Sequence, residues 1–171
     1  MAFDQTMPPL LRALNAIDVD YADGDGMDFE PYQEFQSAED NAAWLRAWTG
    51  NPDVDGAEYR VFGQDGTGGY AALWLVKAGA DLLEQPVVFF GSEGELGVVA
   101  ACFADYLWLL AAGIGPMEAV AYGSGGGASP QPDLAAFAEA HGGTPKLPVE
   151  VLGAAAAAYP DFEASIRALC R

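Results

Sequence analysis

The run from Tyr59 to Gly113 limits the possible folds of this chain more than any other segment. It reads YRVFGQDGTGGYAALWLV, then a short acidic loop, then PVVFFGSEGELGVVAACFADYLWLLAAG. Residues 58–62, 69–76, 86–90 and 95–101 form apolar stretches of strand length, separated by glycine-bearing turns. The second and third stretches are apolar at nearly every position, as expected of covered central strands. The links between strands one and two and between three and four are too short for a crossover, so these pairs are antiparallel. The longer link KAGADLLEQ also permits an antiparallel return. The segment holds almost no group able to do chemistry, so a binding role is favoured over a catalytic one.

Helices are expected on both sides of this sheet. Before it, Leu10, Leu11, Leu14 and Ile17 recur at helical spacing over residues 7–17, with Pro8 and Pro9 suited to a first turn. Ser37 can cap a second helix, with Asp40 three residues on, and Thr49-Gly50-Asn51-Pro52 stops it. Trp44 and Trp48 sit four apart on the flank of that helix. After the last strand, a helix over about residues 102–112 packs Phe103, Leu107 and Leu110 on one stripe, with Tyr106 beside it. Trp108 falls on the other side, either covered by another element or exposed for binding. The stretch 123–132, GSGGGASPQP, reads as a flexible linker, and helical pieces follow at about 133–141, 149–158 and 160–170. Phe162, Ile166 and Leu169 form an apolar stripe on the last of these. The expected fold is α+β: a central, mostly antiparallel sheet of about four to six strands flanked by helices, with extra C-terminal helices. At 171 residues the chain reads as one domain, with a core at about 36–122 and a helical extension at 133–171.

Charge narrows the partners. Seven Lys and Arg oppose twenty-five Asp and Glu, for a net charge of −18. Repulsion by phosphate disfavours nucleic acid, and anionic lipid is disfavoured for the same reason. A basic protein partner is favoured, with faster encounter at low salt. Acidity that serves only solubility is the competing reading. No apolar run has the length of a membrane span, and MAFDQTMPPLLRALNAIDVDY lacks the basic start of a signal peptide. Cys102 and Cys170 are isolated, as suits a reducing compartment, so a cytoplasmic location is expected.

Motifs for chemistry fail on inspection. The turn Asp65-Gly66-Thr67-Gly68-Gly69-Tyr70 lacks the Lys-Ser/Thr ending of a phosphate loop, and a strand rather than a helix follows it. The loop bearing Asp18, Asp20, Asp23, Asp25 and Asp28 matches a calcium loop at Asp23, Asp25 and Gly26 but fails at both ends, with Tyr21 and Tyr32. His141 is the only histidine and sits at a helix end, which disfavours a metal site or a triad. Carboxylates are plentiful, but nothing marks two of them as a catalytic pair. We therefore expect no catalytic residue, no cofactor and no metal.

The strand-turn-strand VFGQDGTGGYAALWL (61–75), the strand PVVFFGSEGE (86–95) and the block VVAACFADYLWLLAAG (98–113) together resemble the SUKH superfamily. That superfamily takes its name from a fungal cell-wall assembly regulator and related bacterial proteins. The helix bearing Trp44 and Trp48 is similar to the one preceding the sheet in such proteins, while the segment after residue 123 has no counterpart. The resemblance implies an α+β fold without catalytic residues and, for a bacterial member, an immunity protein that binds and neutralises a toxin, often a nuclease. A scaffold or regulator of the same fold, binding an endogenous partner, is the alternative. For either, the candidate partner-binding residues are Asp23, Asp25, Asp28, Asp65, Tyr70, Glu93, Glu95 and Trp108, and the protein is expected to be a monomer or weak dimer.

Overall fold

Glycine turns join the strands into a simple meander. The structure, a computed structural model, describes residues 5–127 and 129–171. Five strands lie in chain order across one sheet: β1 (Glu30–Pro31), β2 (Tyr59–Gln64), β3 (Tyr70–Trp74), β4 (Val87–Phe90) and β5 (Leu96–Ala100). Every neighbouring pair is antiparallel. The link after β3 carries a single 3₁₀ turn, Leu82–Glu84, before β4 returns. The helices are α1 (Pro9–Asn15), α2 (Ala38–Thr49), α3 (Phe103–Ala111), α4 (Pro116–Tyr122), α5 (Pro132–His141), α6 (Pro148–Ala158) and α7 (Phe162–Arg167). The fold is α+β, with the extra helices at its C-terminal end.

Because side chains alternate across a strand, the apolar runs feed two cores. One face of the sheet presents Phe62, Ala71, Leu73, Phe89 and Val99 to Leu11 and Leu14 of α1 and to Phe103, Tyr106, Leu107 and Leu110 of α3. The other presents Tyr59, Val61, Ala72, Val88 and Phe90 to Leu45 of α2 and to Phe162 and Ile166 of α7. A sheet covered on both faces explains why β3 and β4 read as continuous apolar runs. It also explains why the sequence of residues 58–62, EYRVF, alternates only weakly between polar and apolar. Positions Tyr59 to Gly63 are all buried, and among them is the charged Arg60, whose Nη1 donates to the carbonyls of Ala57 and Tyr59.

The structure corrects the sequence reading in three places. Residues 18–32 are not loop throughout, because β1 pairs with the end of β2 there. Gly63 admits that pairing: a Cβ at this position would lie 2.3 Å from the ring of Phe29. Helix α4 carries no strong apolar periodicity and escaped the reading. The last helix ends at Arg167 rather than near residue 170.

The C-terminal helices wrap the free side of the sheet. Helix α5 packs on α3, α6 runs against β5, and α7 closes over the opposite face. The backbone N–H of Arg171 then donates to the carbonyl of Thr49 at the end of α2. Edge strand β5 is thereby covered, which removes a template for pairing with another chain. The far end of the glycine-rich link is fastened too. Gln131 accepts from the N–H of Asp20 and donates to the carbonyl of Asp18.

Candidate functional site

The meander places the β2–β3 and β4–β5 turns at the same end of the sheet, and the 20–28 loop lies beside them. Hydrogen bonds hold the three together. Asp28 Oδ1 accepts from the N–H of Gly66 at 2.8 Å, and Ser92 Oγ donates to Thr67 Oγ1 at 2.9 Å. Helix α4 is tied to the same end, because Glu118 Oε1 accepts from the N–H of Asp28 at 2.7 Å. Each local structure follows from its residues. Asp65 Oδ1 accepts from the N–H groups of Thr67 and Gly69 and from the Thr67 hydroxyl, the self-bonding that makes Asp a turn residue. The early loop is drawn tight by bonds from Gly24 and Gly26 back to the carbonyl of Tyr21.

Six of the residues expected from the sequence meet here. Asp23, Asp25, Glu93 and Glu95 are exposed, and Asp28 is half-buried. Asp65 is buried at 3 % exposure, its carboxylate spent on its own turn. Of the remaining two, Tyr70 opens β3 directly after the β2–β3 turn, and Trp108 lies elsewhere. Tyr70 is half-buried among aromatic rings, 5.3 Å from Trp44. Trp108 is buried, and its Nε1 donates to the carbonyl of Gly142, so helix α5 takes the position a partner would need. Of its two open readings, the covered one holds.

The acidic end has little cationic neutralisation. Arg167 reaches the Gly94 carbonyl at 3.4 Å, but Glu163 pairs with it. Lys146 is engaged with Asp105, Arg171 with Asp53, and Arg46 and Lys77 with backbone carbonyls. Among the described residues, no group of three or more His, Cys, Asp and Glu could hold a metal ion, and no helix is long and apolar enough to cross a membrane.

Glu118 is the site residue that sequence reasoning missed. The signal was Gly115-Pro116-Met117-Glu118, a proline at the first helical position with an acid in the first turn. Glu118 is 6 % exposed. Its Oε2 and the hydroxyl of fully buried Tyr106 have no hydrogen-bond partner among the described residues. Burial pushes the Glu118 carboxyl above the usual range. The Asp28 and Asp65 charges push the same way, against the opposing pull of the Asp28 and Glu118 N–H groups. Burial also pushes the Tyr106 hydroxyl far up, with the charge of Glu118 adding to it.

A stability prediction follows. A carboxyl whose folded value is raised binds its proton more tightly folded than unfolded. Its stabilisation is complete below the unfolded value and disappears as pH climbs through the folded one. Glu118→Gln is isosteric and carries no charge. The variant should therefore gain stability relative to the parent as pH rises from 4 to 8, read from urea unfolding of both. A constant difference across that range would show that Glu118 does not titrate abnormally.

No family model, curated protein or solved structure matches this chain.

Proposed function

We propose that this chain is a non-catalytic binding module of the SUKH type: a cytoplasmic immunity protein, monomeric or weakly dimeric, that neutralises a basic, nuclease-class toxin by occupying its cleft. The observation that carries the reading is the meeting of three turns whose exposed carboxylates, Asp23, Asp25, Glu93 and Glu95, lie at one end of the sheet with little basic neutralisation. A nuclease cleft must be basic to hold phosphate, so an acidic surface is complementary to it. The order α2, four antiparallel strands, α3 supports the family assignment.

The test is capture of the partner from the native host at low and moderate salt, with the parent protein and with the triple variant Asp25→Lys, Glu93→Lys, Glu95→Lys. The parent should retain one basic protein with nuclease activity, lose it as salt rises, and inhibit that activity when added back. The variant should associate at least about tenfold more slowly, with a flatter salt dependence. Equal binding by the variant would remove the acidic end from the interface. Recovery of an endogenous complex without toxic activity would instead favour a scaffold or regulator of the same fold.

A further inference from the structure

The backbone of the 20–28 loop is in an unusual state. Ala22 and Asp23, neither of them glycine, hold consecutive left-handed conformations at φ 46° and 53°. A left-handed alanine persists only where its surroundings impose it, and such strain is typical of segments that change state. Three contacts hold the loop down on the fold. Met27 is sunk in the core at 2 % exposure. The N–H of Asp28 donates to Glu118 Oε1 at 2.7 Å, and Asp28 Oδ1 accepts from the N–H of Gly66 at 2.8 Å. Elsewhere the loop stands off α4 across a cleft of about 400 Å³, lined by Tyr21, Asp25, Met117 and Tyr122. One of the three contacts ends on a carboxyl closed off from solvent. Glu118 Oε2 is buried with no hydrogen-bond partner among the described residues. A Cβ at Gly115 would lie 2.6 Å from that oxygen and 3.6 Å from Met27 Cβ, so the carboxyl and Met27 pack side by side over Gly115. The groups facing Glu118 are Asp28 from the loop, Asp65 from the β2–β3 turn and Tyr106 from α3, and none of them brings a positive charge.

We infer that residues 20–28 form a proton-controlled latch at the acidic end, closed over Glu118 while that carboxyl holds its proton and released when it ionises. The inference rests on the reading above, because the loop carries Asp23 and Asp25, and it names how that interface is regulated. Burial of Met27 favours the closed form. Relief of the two left-handed residues and hydration of an ionised carboxylate favour the open one. Burial holds the closed-state Glu118 carboxyl above the ordinary range, and in the open loop it returns to that range. The closed form therefore binds the proton more tightly. Its advantage is complete below the ordinary carboxyl value and is lost as pH rises through the closed-state value. Within that window each pH unit raises the ratio of open to closed about tenfold. The acidic end is thus pre-assembled on the acid side of the window and loosened on the alkaline side.

The test is amide hydrogen exchange on the full ¹⁵N-labelled chain from pH 4 to 8, read as protection at Asp28 and Gly66, whose N–H groups make the two latch bonds. In the parent, protection should fall by up to about tenfold per pH unit across the window. In Glu118→Gln, which keeps an acceptor for the Asp28 N–H and carries no charge, it should stay flat. Low urea should leave this exchange unchanged while it speeds exchange in β3 and β4, because a local opening exposes little surface. Ala22→Gly should raise protection several-fold at every pH and keep the slope, since glycine adopts the left-handed conformation without strain. Equal slopes in the parent and Glu118→Gln, or loop amides that follow β3 and β4 in urea, would overturn the latch. The measurement needs no partner, so a failed capture leaves its result standing, and its failure leaves the acidic interface standing.

Discussion

Replacing Phe90 with alanine is expected to destabilise the protein by about 3–5 kcal/mol, the largest loss for any single side chain of the sheet. Phe90 is fully buried, and four rings from three elements surround it. Trp44 and Trp48 of α2 stand 4.9 and 5.3 Å away, Tyr59 of β2 at 5.3 Å and Phe162 of α7 at 6.0 Å, all edge to face. Edge-to-face packing places ring edges against ring faces, which adds to the gain from burial alone. Truncation would leave a cavity between α2 and α7, where α7 is held mainly by this aromatic layer. Urea unfolding followed by tryptophan fluorescence measures the loss, because Trp44 and Trp48 report on the site directly. Phe90→Leu should cost roughly half as much, since it refills part of the volume. A loss below about 1 kcal/mol for the alanine variant would mean that the rings do not share a packed core.

Trp108→Ala should cost a similar amount, about 3–5 kcal/mol, but with a different local signature. Trp108 is 9 % exposed and packs where α5 crosses α3. Its Nε1 donates to the Gly142 carbonyl at 2.9 Å, just past the end of α5. The variant loses both the ring and that bond, so hydrogen exchange should accelerate in residues 132–142 before the sheet is affected. Trp108→Phe keeps most of the apolar contact and leaves the carbonyl unpaired, for a smaller cost of about 1–3 kcal/mol. Gly142→Ala attacks the same contact from the other side, since a Cβ there would lie 2.7 Å from Trp108 Nε1 and 2.7 Å from the Ala138 carbonyl. If Trp108→Ala were neutral for stability but harmful to partner binding, the residue would belong to the interface after all.

Much of the fold was legible because its signals are local. The stop at Thr49-Gly50 works as read, with Gly50 in the left-handed region at φ 65°. The Ser37 cap accepts from the N–H of Asp40 at 3.1 Å, so a short-range hydrogen bond was enough to start α2. Helix α4 was missed for the opposite reason. Its seven residues include Pro116, Glu118 and Tyr122, and its burial depends on β5 and the early loop rather than on its own pattern. Strand β1 is two residues long and exists only because β2 lies beside it.

The candidate site divides in the same way. The acids were visible one by one, but their meeting at one end depends on hydrogen bonds such as Asp28 to Gly66, which span distant parts of the chain. Glu118 gave no compositional sign of its burial. Asp65 and Trp108 showed the right chemistry for a contact, yet the fold assigned one to its own turn and the other to the seat of α5.

The sequence by itself determined the four longer strands, their antiparallel return, the cap and stop of α2 and the strong negative charge. Those depend on side-chain period, on turn chemistry and on counting, all of which act over a few residues or none. Only the tertiary structure decided that the C-terminal helices wrap β5, that three turns share one end, and that a buried carboxyl lies beneath them. Those outcomes require segments up to about a hundred residues apart to compete for the same apolar surface, and no local pattern records which of them occupies it.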